Sequence, residues 1–425
     1  MSSGDPASES KQGQQRIIAE TPYAVLRNRN YLFYLIGRLI ASFGQQMLTV
    51  AVGWELYERT HSAMALGMVG LTQMIPMLLF TLPAGHLADT ANRKHIIMSM
   101  TLVTACASLG LTLTSIFETH VFWIYACLFI VGAARTFMWP SSSSFLPQLV
   151  PREQFAKAVT WNSGSFQLSS VAGPAIGGAV LALTKKAYVI FAFDTFAVLT
   201  CFTLISFIRY QRNETQREPM TVQRLLAGFH FVFENRVILG IITLDMFAVL
   251  LGGATALLPV YAKDILHVGP SGLGLLQAAL PAGSLLCALI LAHRRPLEKA
   301  GRALLWSVAG FGLATIVFGL SELFWLSFAM LFVCGATDNI SVVVRHTLVQ
   351  LLTPDEKRGR VSAVNSLFIG TSNELGGFES GSVAQLFGPV ASVVSGGIGT
   401  VLVVVAIAWF WPEIRKYGRL GGAGV

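Results

Sequence analysis

The sequence predicts an all-α membrane protein with twelve transmembrane helices, arranged as two six-helix bundles related by a pseudo-two-fold axis. Of its 425 residues, 53% are hydrophobic and 12% are charged, whereas about 25% of the residues of a soluble domain are charged. Apolar runs long enough to cross a bilayer recur from one end of the chain to the other. The second half of the chain also repeats the pattern of the first.

The apolar runs define the predicted spans and the organisation of the chain. The spans are 31–57, 63–88, 95–117, 121–146, 160–184, 187–208, 237–262, 270–293, 303–320, 324–346, 360–385 and 388–411. A long connection, charged and then amphipathic, separates the sixth span from the seventh. The predicted units are a disordered tail (1–24), an N-terminal bundle (25–208), a linker with an amphipathic helix (209–236), a C-terminal bundle (237–411) and a second tail (412–425).

Basic residues predict the orientation. Lysine and arginine collect in the loops on one side of the predicted membrane, whereas the loops on the other side keep only Arg59, Lys185, Lys186 and Lys263. Under the positive-inside rule, both termini, the linker and the richer loops are cytoplasmic. The net charge of +8 therefore reflects loop asymmetry, and a nucleic-acid partner is not expected.

Two stretches of the chain show the repeat. "LFIVGAARTFMW", which contains Arg135, is matched 203 residues later by "LFVCGATDNISV", which contains Asp338. The first spans of the two halves align at an offset near 207, which pairs Arg38 with Asp245. Because each half has an even number of spans, both copies cross the membrane in the same direction. This is the parallel repeat of a two-bundle transporter.

The repeat pairs charges of opposite sign at membrane depth. A charge there costs at least ~2.5–3.5 kcal/mol on insertion scales, so it indicates a function by default. Arg38 and Arg135 of the first half and Asp245 and Asp338 of the second lie roughly 9–15 Å from the cytoplasmic ends of their spans. We predict that all four face a shared central cavity. The alternative is that each charge is satisfied within its own bundle by carbonyl or hydroxyl groups.

The loop "GHLADTANRK" (85–94) lies between the second and third spans. It resembles the loop signature of the major facilitator superfamily, Gly-x-Leu-Ala-Asp-(basic)-x-Gly-Arg-(basic), with Gly85, Asp89, Arg93 and Lys94 in matching positions. The resemblance implies that Asp89 docks near the start of span eleven and helps to close a cytoplasmic gate. Span eleven begins on that side, so the positive end of its dipole faces the loop. A plain topology-setting loop is the alternative.

The stretch "SSVAGPAIGG" (169–178) lies on span five. It resembles the antiporter motif of the same superfamily, Gly-x-x-x-Gly-Pro-x-x-Gly-Gly, with Gly173, Pro174, Gly177 and Gly178 in matching positions. A proline removes one helix hydrogen bond, and flanking glycines let another helix approach closely. The resemblance implies export in exchange for protons, and simple close packing is the alternative.

A wider resemblance extends over residues 25–415. "PREQFAKAVTWNS", "ALLPVYAKDIL" and "PDEKRGRVSAVNS" look like the branch of the superfamily that contains the enterobactin exporters and related drug-export proteins. This resemblance implies a secondary transporter and not an enzyme. It leaves the substrate open.

Three further acids lie within the predicted spans. Glu374 and Glu379 lie on span eleven, and Asp194 lies about 10 Å into span six. A buried carboxyl group can be neutral when it has no partner, so each could carry a coupling proton. We therefore assign all three to the predicted substrate and proton cavity. Glu374 ranks first and Asp245 second, because the repeat mate of Glu374 is Val171 and supplies no arginine. A hydrogen bond between neighbouring helices is the alternative for all three acids.

Several kinds of chemistry have no support in the sequence. It contains no Gly-x-x-x-x-Gly-Lys-Ser/Thr loop for ATP and no His-Glu-x-x-His or Cys-x-x-Cys pair for a metal. All five cysteines lie in apolar runs at unrelated spacings, which is typical of packed free thiols. We therefore expect no cofactor, no metal site and no disulfide framework.

The sequence thus predicts a secondary active transporter of the bacterial cytoplasmic (inner) membrane. It would export a small amphipathic compound, siderophore- or drug-like, in exchange for protons by alternating access. The expected partners are this substrate, protons and the lipid bilayer, and we expect a monomer. Two alternatives stay open: an importer or uniporter of a small solute, and a facilitator-fold sensor or assembly protein.

Overall fold

The computed structural model describes residues 23–209, 229–294, 298–354, 356–416 and 418, and this part of the chain is helical without strands. Twelve long helices follow the predicted spans. The N-terminal half holds α1 Arg29–Thr60, α2 Ala63–Thr90, α3 Arg93–Ile116, α4 Phe122–Leu149, α5 Phe155–Thr184 and α6 Tyr188–Ser206. The C-terminal half holds α7 Arg236–Leu251, α8 Gly269–Ala292, α9 Ala300–Leu320, α10 Phe324–Leu352, α11 Arg358–Phe387 and α12 Pro389–Phe410. The predicted fold class is confirmed.

Polar caps set where several of these helices begin. The side chain of Asn28 accepts hydrogen bonds from the first backbone N–H groups of α1, and Ser62 does the same for α2. Asn92 caps α3, and Asn235 caps α7. Each cap satisfies a backbone donor that the helix itself leaves free. Short polar turns can therefore reverse the chain between long apolar spans.

Eleven helical segments of the described residues are long and apolar enough to cross a membrane, with α7 counted through to Ile265. The helix α11 is not among these segments because it is less apolar, although its 30 residues would span a bilayer. Polar residues near its middle, Ser372, Asn373 and Glu374 among them, interrupt its apolar run. Such residues are tolerated in a span when they face the interior of the bundle. The sequence therefore already marks α11 as a helix with a polar interior face.

The seventh span is broken, whereas the sequence predicts one continuous span over 237–262. The break lies at Gly252 and Gly253, and beyond it the chain continues in short helical turns to Ile265. A methyl group on Gly253 would collide with the backbone carbonyl of Gly376 in α11. Two backbones can approach this closely only where a side chain is missing. The glycine at 253 therefore permits the close approach of α11 at the break.

Contacts between the two halves repeat, as a pseudo-two-fold axis requires. The helix α5 packs on α8, and its repeat mate α11 packs on α2. In each pair one glycine faces another. A methyl group on Gly178 would lie 2.8 Å from the Cα of Gly274, and one on Gly67 would lie 3.0 Å from the Cα of Gly381. The second pair of glycines is the repeat mate of the first, so the halves are joined twice in the same way.

Within the described part of the chain, the hydrophobic core that the two halves share lies at one end. We call the end where α1 joins α2 and α7 joins α8 the predicted outer end. One cluster of buried residues there draws on both halves, with Leu56 and Leu181 from the first and Leu257 and Leu273 from the second. The other buried clusters each draw on one half alone. The halves are therefore sealed together at the predicted outer end.

The predicted tails and linker fall partly within the described residues. Residues 1–22 of the first tail and 210–228 of the linker lie outside them, and 229–234 are helical. The predicted C-terminal tail begins with a short helix, Pro412–Lys416. Its Ile414 is 0% exposed and belongs to a buried cluster of the C-terminal half. The start of this predicted tail is therefore packed against the bundle.

Candidate functional site

The mid-membrane charge on α7 is paired within its own half. Asp245 forms an ion pair with Arg345 of α10. Both residues are buried, with Asp245 7% exposed and Arg345 3% exposed. The structure therefore corrects the prediction that Asp245 faces the arginines of the other half. A carboxylate buried in a bundle needs a counter-charge within reach, and Arg345 supplies it.

Asp338 lies close to this ion pair. A small cavity inside the C-terminal half is lined by Asp245, Ala248, Val249, Val308, Phe311, Asp338 and Ser341. These residues belong to α7, α9 and α10, so the cavity lies within one bundle and not between the two. The predicted cavity that both aspartates share with Arg38 and Arg135 is therefore corrected as well. The two aspartates share an internal space of the C-terminal half.

The arginines of the N-terminal half have no comparable ion pair. Among the described residues, neither Arg38 nor Arg135 makes a hydrogen bond or an ion pair. The guanidinium of Arg38 lies 5.9 Å from the ring centroid of Tyr34, and Arg135 is exposed. Arg135 lies one turn beyond Gly132, which packs against α2, and Glu374 of α11 meets α2 at Gly70. The acid of the other half that lies near Arg135 is therefore Glu374, although no ion pair joins the two side chains.

Toward the predicted outer end, the face of α1 that carries Arg38 points to the other half. This face carries Arg38, Ser42, Gln45, Thr49 and Gly53, at the three- and four-residue spacing of one side of a helix. Gly53 shows its direction, since a methyl group there would lie 3.0 Å from Pro259 of the C-terminal half. A polar strip therefore runs along α1 from Arg38 toward the sealed end.

The helix α11 contributes two carboxylates. Glu374 lies where α11 crosses α2, because its backbone carbonyl meets Gly70. The sequence gives this acid no arginine mate, whereas the structure places Arg135 of α4 beside the same helix, α2, on which Glu374 packs. Glu379 lies about one turn closer to the predicted outer end, and it accepts a hydrogen bond of 3.3 Å from Ser380. Glu374 is therefore the acid with a cation from the opposite half.

Asp194 lies inside the N-terminal half, away from the central space. It is 0% exposed, and one carboxylate oxygen accepts a 2.6 Å hydrogen bond from Ser108 of α3. The other oxygen has no hydrogen-bond partner in the described part of the chain, and it packs against Gly44 of α1. The structure thus corrects the prediction of Asp194 as a cavity residue. It links α6 to α1 and α3.

Some residues of the loop that resembles the superfamily signature are buried or hydrogen-bonded, and others are not. Gly85 and Arg93 are buried. The ammonium of Lys94 donates to the last carbonyl groups of the α6 region, at 2.9 and 2.8 Å, where a cation is favoured. Asp89 makes no hydrogen bond or ion pair within the described ranges. Its docking on the start of α11 stays a prediction.

The stretch that resembles the antiporter motif lies at two helix contacts. Gly173 and Gly177 pack against α1 in their own half. Gly178 and the carbonyl of Pro174 pack against Gly274 of α8 in the other half. Small residues let these backbones approach closely. The motif therefore forms part of the seal at the predicted outer end, and its role in proton exchange stays a prediction.

A polar lock, not expected from the sequence, joins α1 to the end of the broken seventh span. The hydroxyl of Tyr57 donates a hydrogen bond to the carboxylate of Asp264, and the ammonium of Lys263 lies 3.5 Å from the carboxylate of Glu58. Tyr57 and Asp264 are 207 residues apart, which is the repeat offset. Repeat mates can touch each other only on the axis that relates them. The repeat itself could have identified this contact.

Comparisons with known proteins agree with this architecture. Residues 20–417 match the family model of the transmembrane secretion effectors of the major facilitator type. The chain belongs to this family. Over 385 residues it is 28% identical to the enterobactin exporter EntS of Citrobacter koseri, with 90% of this chain and 92% of the relative covered. EntS of Escherichia coli O1:K1 is 26% identical with the same coverage.

Solved structures show the same fold as this transmembrane secretion effector. A bacterial homologue of the human lysosomal transporter Spinster, in an inward-facing and occupied conformation, superposes with a TM-score of 0.73 at 14% identity, covering 92% of this chain and 99% of that one. A POT family transporter in complex with 5-aminolevulinic acid gives 0.74 at 12% identity, covering 92% and 97%. Family and fold together make this chain a membrane transporter for small molecules and not an enzyme.

Arg345 is the residue of this transporter that sequence reasoning missed. The predicted span ends at 346, which places Arg345 at the membrane surface, where a basic residue is ordinary. The helix α10 continues to Leu352, so Arg345 lies about two turns inside it. A lone arginine in the apolar run "VVVRHTLV" is the signal that could have identified it.

Proposed function

We propose that this transporter exports a small amphipathic compound from the bacterial cytoplasm, across the inner membrane, in exchange for protons. One observation carries the proposal: the halves share a core at the predicted outer end and keep separate clusters elsewhere. Two bundles joined at one end can rock about the space between them and open each side in turn. The enterobactin exporters that resemble the chain support the outward direction.

The contacts described above identify what must break and what must form as the transporter changes conformation. Opening the predicted outer end requires breaking the polar lock between Tyr57 and Asp264 and separating the paired glycines of α5 and α8. Closing the opposite end brings Asp89 toward the start of α11, where the positive dipole end of that helix attracts it. With both termini cytoplasmic, as the loop charges predict, the open end faces the cytoplasm.

Glu374 is the proton carrier of this proposal. The helices α2, α7 and α12 pack against α11. Charged side chains on these helices and on the extension of α7 are His86, Asp89, Arg236, Asp245, Lys263 and Asp264. Asp245 is engaged by Arg345, whereas Arg135 of α4 lies beside the same helix, α2, on which Glu374 packs. Rocking the halves changes the distance between Arg135 and Glu374, and so changes how readily the carboxylate takes up a proton.

Transport into inside-out membrane vesicles tests the proposal. We expect an acidic vesicle interior to drive uptake of at least one member of a panel of amphipathic compounds. Glu374→Gln should abolish this pH-driven uptake and leave passive exchange of the same compound intact, because the amide cannot carry a proton. Glu322→Gln, which changes an exposed carboxylate in the α9–α10 connection, is the matched control. Normal pH-driven uptake by a folded Glu374→Gln variant would remove Glu374 as the carrier.

A further inference from the structure

We infer that the substrate is an organic anion and that Arg38 and Arg135 bind it. The inference rests on the proposed export function and specifies its substrate class. It starts from an imbalance of charge between the halves. Two guanidinium groups of the N-terminal half are directed toward the other half. Of the two aspartates that the repeat pairs with them, Asp245 is held by Arg345, and Asp338 lines a cavity inside the C-terminal half.

The position of the two arginines is the first step. Arg135 lies one turn beyond Gly132, which packs against Gln73 of α2, and the carbonyl of Glu374 meets Gly70 of the same helix. Arg135 and Glu374 therefore lie at neighbouring turns of α2, which places Arg135 beside the opposite half.

Arg38 shares a face of α1 with Gly53, which contacts Pro259 of the opposite half. A guanidinium at membrane depth is tolerated where it faces a water-filled space or a counter-charge. Both arginines therefore face the space between the halves.

The shortage of acceptors is the second step. Among the described residues, no hydrogen bond or ion pair joins either arginine to the protein. Asp245 is held by Arg345, and Asp338 lines the cavity inside the C-terminal half. Glu374 and Glu379 of α11 remain, and Glu379 accepts a hydrogen bond from the neighbouring Ser380. With both glutamates ionised the two arginines balance them, and each glutamate that takes up a proton leaves one excess positive charge. The space therefore carries no net negative charge in any of these states and admits an anion.

The chemistry of the donors defines the ligand. Each guanidinium presents a planar set of five N–H donors that matches the oxygens of a carboxylate, sulfonate or phosphate. Such charge-assisted hydrogen bonds are about twice as strong as neutral ones. A cationic compound would be repelled by the guanidinium groups, and a neutral one would leave them without an anionic partner. The space therefore selects amphipathic anions over neutral or cationic compounds of the same shape.

An anionic substrate has a consequence for the driving force. An inside-negative membrane potential expels a monovalent anion and shifts its equilibrium ratio by about fifty-fold per 100 mV. The potential should thus contribute to export even without a pH gradient. In exchange for one proton, a monovalent anion moves two charges per cycle and a neutral substrate moves one. The potential should therefore stimulate transport of the anion more steeply, and this steepness separates the two substrate classes by experiment.

Matched probes of one shape and three charges test the inference. We would measure uptake of 2-naphthalenesulfonate, 2-naphthalenesulfonamide and 2-naphthyltrimethylammonium into inside-out vesicles. Each is measured with an acidic interior and, separately, with an interior-positive potential. The variants are Arg38→Gln, Arg135→Gln and Arg135→Lys, each checked for monodisperse elution. Arg152→Gln, which removes an exposed arginine between α4 and α5, is the control.

We expect the sulfonate alone to accumulate, with stimulation by the potential. Its uptake should fall about tenfold or more in the two glutamine variants and partly recover in Arg135→Lys. Accumulation of the sulfonamide or the ammonium compound at the same rate would overturn the inference and leave the export function standing. Uptake of the sulfonate that does not respond to either arginine would overturn it too. Uptake of none of the three under either gradient would refute the inference together with the export function on which it rests.

Discussion

The two halves of the molecule place equivalent mid-membrane positions in different surroundings. In the C-terminal half, Asp245 of α7 is paired with Arg345 of α10. The equivalent positions of the N-terminal half are Arg38 of α1 and Ser142 of α4, at the repeat offsets of 207 and 203. The charge on α1 therefore meets no counter-charge on α4. Ser142 is buried, and its hydroxyl has no hydrogen-bond partner in the described ranges.

The two halves therefore treat the equivalent mid-membrane charge in different ways. The C-terminal half keeps its charge as an internal ion pair, which fixes α7 against α10. The N-terminal half keeps its charge without an internal partner, which leaves it available to the space between the halves. A repeat can therefore preserve the depth of a charge and lose its partner by changing one residue, as at Ser142 and Arg345. Two predictions test this comparison, and two more test the contacts that close the ends of the molecule.

The largest effect is expected from breaking the internal ion pair. Arg345→Gln or Asp245→Asn alone should destabilise the protein by about 3–5 kcal/mol, because one buried charge is left without its partner. Arg135→Gln should change stability by about 0.5 kcal/mol or less, since no internal contact is lost. The free energy of unfolding is measured in the same bicelles for all variants. The double variant should regain much of the loss, and equal stability of Arg345→Gln and Arg135→Gln would contradict the comparison.

Restoring the missing partner in the N-terminal half should affect transport. Ser142→Asp would give Arg38 a carboxylate partner within the N-terminal half. Arg38 would then be neutralised there and no longer be available to a substrate between the halves. Uptake of 2-naphthalenesulfonate into inside-out vesicles should then fall about tenfold, the loss expected for a charged hydrogen bond. Ser142→Asn, of nearly the same size, should keep most of the uptake. If the two variants transport equally well, Ser142 does not decide where Arg38 directs its charge.

The polar lock at the predicted outer end joins the halves instead of distinguishing them. Tyr57→Phe should weaken the closed outer end by about 0.5–1.5 kcal/mol, because the hydrogen bond to Asp264 is lost. Pulsed electron paramagnetic resonance between spin labels on the α1–α2 and α7–α8 connections reports the opening. Tyr125→Phe is the control, since its 2.8 Å hydrogen bond to Ala65 stays within one half. Identical distance distributions for wild type and Tyr57→Phe would exclude a role for the lock.

The smallest effect is expected at the opposite end. Asp89→Asn should weaken the state that is closed there by about 0.3–1 kcal/mol, because the neutral side chain loses its attraction to the start of α11. Cysteine crosslinking across the predicted cytoplasmic mouth should become less efficient. Glu153→Gln, which removes an exposed carboxylate from the α4–α5 connection, is the control. Unchanged crosslinking and transport in Asp89→Asn would leave the loop without a gating role.

Much of the fold follows from the sequence alone. A span must be long and apolar enough to cross the bilayer and must satisfy its own backbone, so the sequence predicts the twelve helices directly. The repeat and the two superfamily-like motifs are likewise local patterns. The depth of Arg38, Arg135 and Glu374 also follows from counting along a helix. These are properties of one segment of chain at a time.

The tertiary structure decided which side chains meet. The rotation of a helix about its axis is set by packing against its neighbours, and the length of an apolar run does not reveal it. Because of that rotation, Asp245 pairs with Arg345 and not with Arg38. For the same reason, the side chain of Asp194 points into the interior of the N-terminal half. The close approach of α11 to Gly253 is likewise recorded by no pattern within the seventh span. The sequence by itself therefore determined the helices and their charges, and packing between helices chose the partners.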